Sequence, residues 1–386
     1  MAKGHFNNEQ MLRNLSHSFI NLLGFNSSRK IFIIFSDDWG GIRVGSWEAR
    51  KKLIQAGINM DGNRFDRFDS LESNADLEAL FDVLLKHKDF QGNHPVITAA
   101  CNIANPDFSR IRDAGFKNYY YEPFTESLKR YPNHDRVFDL YRKGIELKIF
   151  KPELHGREHL QVKWWLENLQ SENEIVRKAF EHEYWHLSTK YLNNSMHRSL
   201  GAAYDITSLS EVKGQEEIVA DGARLFNSLF GYQSLVFIPP AQKYNKILEP
   251  TIRDSGFKMV DVPHLSKMPM GYGKYETRLH YLGQKSRFNL RYITRNTVFE
   301  PNLHENSDYV NECLAGIENA FRSRKPAIIS NHRAAFMGGL DLRNRDKGIK
   351  ALENLIKESL RVWPDIEFMS AAEFNELLFD NESGQD

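Results

Sequence analysis

Three short stretches put side chains capable of acid–base or metal chemistry at the ends of apolar runs. In the first, Ile31 to Phe35 lead into Ser36, Asp37 and Asp38, followed by Trp39 and two glycines. Five consecutive β-branched or aromatic residues describe a strand buried on both faces, and the glycines release the chain into a turn. Adjacent strand residues point to opposite faces, so two neighbouring aspartates can share a cavity only where the pleat breaks. The carboxyl end of a strand is also where α/β folds gather ligands and catalytic groups. The plainer alternative is a pair of turn-forming aspartates.

The second stretch, His155-Gly156-Arg157-Glu158-His159, follows an expected short strand over 147–154. Histidines four apart share a face if the turn after that strand is helical. Neutral imidazole is the commonest metal ligand. Two imidazoles and a carboxylate leave a fourth zinc position open, as in catalytic rather than structural sites. The third stretch is an apolar run from Ala327 that ends in Ser330-Asn331-His332. Parallel strands would aim His332 at the same rim, whereas a lone histidine there more often satisfies a loop.

These stretches need elements to hold them. Apolar periodicity predicts strands at 95–100, 201–206, 234–238, 258–262, 289–294 and 326–331. It predicts helices over 47–57 (capped by Ser46), 73–88, 106–115, 124–131, 134–143, 159–170 and 172–191. Further helices are expected at 210–230, 244–255, 307–323, 345–361 and 371–379, with a turn-rich loop excursion over 263–288. Alternation of this kind argues for an α/β fold with a mainly parallel sheet, open or closed into a barrel. The length permits two or three domains or one decorated barrel, with an N-terminal helical extension expected at 1–28 and a frayed tail at 381–386.

Composition narrows the partners. Lys plus Arg and Asp plus Glu both total 51, so the zero net charge offers no footprint for nucleic acid or anionic lipid. The two cysteines, Cys101 and Cys313, exclude a disulfide framework and suit a reducing compartment. Met1 to Gln10 is polar, and no stretch approaches the roughly 20 apolar residues of a membrane span. A cytoplasmic protein without a transmembrane segment is expected.

Asp37-Asp38, His155-Gly156-Arg157-Glu158-His159, Phe237-Ile238-Pro239-Pro240 and Ser330-Asn331-His332 occur in the order seen in the polysaccharide deacetylases. The chain resembles a divergent bacterial branch of that superfamily, carbohydrate esterase family 4 or the NodB-homology domain. The resemblance implies a single decorated (β/α) barrel domain over 1–386, a distorted (β/α)7 barrel, with a divalent metal such as zinc and hydrolysis of an N- or O-acetyl group on a carbohydrate. By position it implies Asp37 as general base, Asp38, His155 and His159 as metal ligands, and His332 as general acid.

The chain departs from the family pattern in three places. Ile238 stands where an arginine usually pairs with the base, Ala241 stands where a tyrosine is usual, and 117 residues separate Asp38 from His155 (155 − 38). Arg157, Arg295 and Arg333 are candidates to replace the arginine, and the Ala241 backbone N–H could still serve an oxyanion. Trp39 offers a stacking wall for a sugar ring, or else ordinary core packing. Ser36-Asp37-Asp38-Trp39-Gly40 also resembles the start of the YdjC-like oligosaccharide deacetylases, which leaves the reaction class intact. A non-catalytic carbohydrate-binding relative is a further alternative, favoured by Ile238.

One motif competes. His182-Glu183-Tyr184-Trp185-His186 is a literal H-E-x-x-H in a stretch expected to be helical, the zinc and general-base pattern of a metallopeptidase class. No third ligand follows it at the required spacing, and a solvated helix is the favoured reading.

Overall fold

Nine strands form the sheet that carries these stretches: β1 (Lys30–Trp39), β2 (Ile97–Cys101), β3 (Phe150–Leu154), β4 (Val236–Phe237), β5 (Met259–Asp261), β6 (Arg291–Ile293), β7 (Thr297–Val298), β8 (Ala327–His332) and β9 (Ile366–Phe368). The computed structural model describes residues 23–302 and 307–383. Eight strands pair in the order β6-β5-β4-β3-β2-β1-β8-β7, and β9 lies beside the start of β1. Every pairing in this sheet is parallel. With helices in the connections, the sheet curls into the distorted barrel form of an α/β fold.

The central strand shows why the sheet curls around its own core. Ile31, Ile33 and Phe35 pack with Val236, Met259, Ile293 and Ile328 from four other strands, an interior layer that includes Phe374 of the C-terminal helix. Phe32 and Ile34 face the other way, into a larger cluster with helical residues such as Leu77, Leu80 and Leu352. Both faces are therefore apolar, as the continuous run requires. The two edges of the path, β6 and β7, are consecutive in the chain. Only Thr294, Arg295 and Asn296 span the seam between them.

Several helices start where their caps predict. Ser46 accepts from the Ala49 N–H to open Trp47–Gln55, and Ser73 with Asp76 forms a capping box at Asn74–Leu85. Gly231 at φ 74° closes the helix Val212–Phe230. Among the described residues, no helix is long and apolar enough to cross a membrane.

Other expectations fail for local reasons. The helix expected over 172–191 covers only Glu174–Phe180. The Glu183 N–H bonds the Phe180 carbonyl and the Tyr184 N–H bonds the Ala179 carbonyl, with Glu183 at φ 55°. That is a Schellman stop with glutamate in the place glycine usually takes, so composition does not announce it. Residues 201–206 form turns instead of a strand, closed by bonds from Ala202 to Ser199 and from Asp205 to Ala202.

The excursion at 263–288 contains an antiparallel hairpin, Leu265–Gly271 with Lys274–Leu279. The short strands β7 and β9 and the helix Arg64–Phe68 had no periodic signal. Most of the expected extension lies outside the described residues, and 23–28 are not helical. The last helix runs from Ala371 to Ser383 through the start of the expected frayed tail, and 384–386 lie outside the described residues.

Candidate metal centre and acid–base pair

The two aspartates share one cavity because β1 is bulged at its end. Ser36 pairs with Ala99 and Trp39 with Cys101, so three steps along β1 match two along β2. The strand therefore continues past Ser36 to Trp39, with the pleat broken inside it. Asp37 keeps the inward alternation of Ile31, Ile33 and Phe35, while Asp38, at φ 78°, is swung out of register. Behind this turn, buried Arg333 donates to Asp69 (2.9 Å), Glu72 (2.5 Å) and the Gly41 carbonyl. Glu72 also accepts the Gly40 N–H at 3.0 Å and the Tyr141 hydroxyl.

His155 continues from β3, its N–H bonding the Cys101 carbonyl, and Gly156 at φ 79° then turns the chain. A Cβ on Gly156 would lie 3.1 Å from Pro240 and in a strained conformation, so glycine fits this turn. The stretch from His155 to Gln161 is not helical, yet the two imidazoles converge, with ring centroids 4.9 Å apart. Asp38 Oδ1 lies 3.4 Å from Nε2 of His155 and 3.4 Å from Nε2 of His159. Ligand atoms of all three residues fall within 4.8 Å of one another.

This donor set fits a divalent cation. Asp38 Oδ1 is buried without a hydrogen-bond partner. His155 Nδ1 contacts the Ile238 carbonyl at 2.9 Å, which keeps its proton there and turns the Nε2 lone pair toward Asp38. Burial pushes His159 down to about 4, so its imidazole is neutral and free to ligate. Burial raises Asp38's proton affinity, but His159, His155 and His332 outweigh it and hold the carboxyl well below the usual range.

The arginine absent at Ile238 has a counterpart from another strand end. Arg295, in the seam, donates Nη1 to Asp37 Oδ2 at 2.6 Å and Nη2 to Asp37 Oδ1 at 2.9 Å. Its Nε and Nη2 also reach Asp261 at 3.2 and 3.0 Å, and its guanidinium lies over the Phe35 ring. Burial raises the proton affinity of Asp37, and the charge and hydrogen bonds of Arg295, with the charge of His332, bring it below the ordinary value. Arg157 instead binds Glu158 and Asp221, and Arg333 braces the turn after Asp38.

His332 closes the set. Its Nε2 lies 3.9 Å from Asp37 Oδ2, and its Nδ1 bonds Glu300, which in turn pairs with Arg64 at 2.8 Å. Burial disfavours the imidazolium, but the charge and hydrogen bond of Glu300 raise its pKa to about 9. The Phe65 ring stands edge-on to His332, with centroids 4.9 Å apart.

Other expected site residues lie elsewhere. Trp39 is fully buried against Phe150 in the core, so it presents no wall to a sugar. Ala241 is exposed in the turn after β4 at φ 55°. The peptidase pattern lacks the helix it requires. His182 falls outside the metal-ligand trio, and Glu183 accepts the Tyr131 hydroxyl at 2.7 Å. His186 does approach the site, its ring 5.6 Å from His159, but its Nε2 contacts Arg43 Nη1 at 3.1 Å.

Asp261 and Glu300 were missed by sequence reasoning. Asp261 ends β5, the same strand-end acid signal that marked Asp37, and could have been found; Glu300 lies in a loop with no pattern.

No protein-family model matches the sequence, and no curated protein matches it. Solved structures do. A protein assigned as a polysaccharide deacetylase from Mycobacterium smegmatis is 9% identical, with 93% of this chain and 94% of that chain covered and a TM-score of 0.42. The peptidoglycan deacetylase PdaC from Bacillus subtilis is 10% identical over 92% of this chain and 94% of that one, with a TM-score of 0.33. The 4-alpha-glucanotransferase from Thermococcus litoralis has 10% identity, a TM-score of 0.43, and 90% of this chain against 40% of its own covered. Likeness at this level does not choose between chemistries, so any function must be argued from the site.

Proposed function

We propose that this protein is a metal-dependent hydrolase that removes an acetyl group from a sugar, a sugar conjugate or an oligosaccharide. One observation carries the reading: the unpartnered Asp38 Oδ1, between two histidine Nε2 atoms, sits beside an arginine-held aspartate and a glutamate-backed histidine. Asp38, His155 and His159 would hold the cation, and two nitrogens with one carboxylate favour zinc. When bound, such an ion polarises a carbonyl and lowers the pKa of water toward about 7.

The chain's own groups supply the proton transfers. Asp37, fixed at both oxygens by Arg295, stays ionised and accepts a proton from the attacking water. The same grip fixes the direction of its lone pairs. His332 enters as imidazolium, kept protonated by Glu300, and delivers its Nε2 proton to the departing amine or alcohol. The 3.9 Å between Asp37 Oδ2 and His332 Nε2 supports a base and an acid that serve one reacting group. The Ala241 N–H is the proposed oxyanion donor.

Arg295 also supplies the partner for the base that Ile238 cannot, which removes the main reason for reading the chain as a non-catalytic carbohydrate binder. A cytoplasmic setting belongs to the same proposal and suits Cys101 and Cys313, both buried and free.

The decisive experiment is Asp37→Asn in zinc-loaded protein, with acetate release and metal content measured together. Acetate release should fall by about 1,000-fold or more while metal content stays at the wild-type level. Undiminished release would remove Asp37 from the role of base.

A further inference from the structure

A cleft of about 440 Å³ opens next to the metal-ligand trio, and the residues between them are identifiable. Arg43 and His186 line both this cleft and the small cavity that contains Asp38 and His159. The Arg43–His186 contact therefore lies between the Asp38 cavity and the cleft.

The charge of this cleft differs from that of the chain. Its charged lining residues are Arg43, Asp66, Lys190 and Arg198. Arg43 is engaged, with Nε and Nη2 on Asp66 Oδ1 at 3.1 and 3.0 Å and Nη1 on His186. Among the described residues, no ion pair joins Lys190 or Arg198 to a carboxylate. Lys190 sits over the Tyr191 ring, and Asp205, whose charge Arg198 feels, accepts the Tyr275 hydroxyl. Two exposed cations thus face a cleft whose acid is already neutralised, in a protein of zero net charge. A hairpin tip approaches Arg198 from outside the cleft: a Cβ on Gly273 would lie 3.3 Å from its guanidinium, and neighbouring Tyr272 is 70% exposed.

We propose that this cleft is a subsite for an acidic sugar unit, one bearing a carboxylate, joined to the unit whose acetyl group is removed. The proposal rests on the acetyl-hydrolase reading for the position of the reacting unit. Lys190 and Arg198 would bind the carboxylate with charge-assisted hydrogen bonds, and Tyr272, exposed on the hairpin next to Arg198, offers a ring face beside them. Arg43, held by Asp66, serves as a fixed wall.

The test separates binding from turnover. Zinc-loaded protein is titrated calorimetrically with a tetrasaccharide of alternating glucuronate and N-acetylglucosamine, and with a tetramer of N-acetylglucosamine, at two salt concentrations. The acidic oligomer should bind about tenfold tighter at low salt, with the gap narrowing as salt screens it. Arg198→Gln and Lys190→Gln should each reduce the preference roughly threefold, and the double variant should abolish it, while the exposed Lys258→Gln leaves it intact.

Equal binding of the two oligomers, or a preference unmoved in the double variant, would overturn the subsite. Acetate release is followed in parallel. A preserved preference without release from either oligomer supports the subsite and counts against the hydrolase reading alone.

Discussion

Two pentapeptides in this chain place histidines four residues apart, and only one of them brings both histidines into the candidate ligand trio. In both, the residue after the first histidine has positive φ, Gly156 at 79° and Glu183 at 55°. What differs is the element before the kink. His155 directly follows β3, with its backbone N–H still bonded to the Cys101 carbonyl of β2 and its Nδ1 on the Ile238 carbonyl. His182 trails a helix that has just stopped at Phe180. Ligand convergence follows from the direction in which the chain enters the turn, and the spacing is only a proxy for that direction.

The largest expected effect would test this contrast directly. His155→Ala should weaken metal binding by more than about 100-fold, and His182→Ala should leave it unchanged, as measured by metal analysis after dialysis. Metal lost from His182→Ala and kept by His155→Ala would reverse the assignment.

Arg295→Gln should come next. It leaves Asp37 and Asp261 buried without their shared cation, at a cost of about 3–5 kcal/mol in chemical denaturation, with kcat reduced. A variant as stable as wild type would show that the seam arginine does not hold the base.

Glu300→Gln should have a smaller effect, confined to pH. His332 must be protonated to act as an acid, so acetate release should fall as pH rises through about 9. Without Glu300 that limb should move toward about 6.5 in the rate profile. The linked stability has the same sign: it is complete below about 6.5 and lost as pH rises through about 9.

Glu183→Gln should change least. Its carboxylate accepts the half-buried Tyr131 hydroxyl and lies near Arg130, so about 1 kcal/mol or less of stability is at stake, with activity unchanged. Loss of activity would restore the glutamate of the second pentapeptide as a catalytic base.

The legible parts of this molecule were those with continuous patterns. The apolar run of β1, the caps at Ser46 and Ser73 and the strand-end polar groups Asp37, Asp38 and His332 all follow from local physics. The sequence also named Arg295 among three possible partners for the base, without grounds to prefer it, because the choice depends on which strands form the two edges. The Schellman stop was not legible, since Glu183 takes a backbone conformation that its side chain does not favour. Nor was Trp39, whose neighbours suggest a site while its side chain points to the opposite face of the sheet. Glu300 acts through a fold-dependent contact 32 residues away in sequence, and no periodicity encodes that.

The three-residue seam has a consequence for the order in which the protein becomes competent during synthesis. The proposed cation ligands all lie between residues 38 and 159. The arginine that orients the base and the histidine that supplies the acid come at 295 and 332. The ligands are thus synthesised first, whereas the Ile238 carbonyl that orients His155 and the Arg333 brace behind Asp38 follow later. Base orientation arrives with Arg295, as Thr294–Asn296 carries the chain from one sheet edge to the other. Under the proposed function, reactivity would then depend on the two sheet edges meeting at Arg295, and not on the metal site alone.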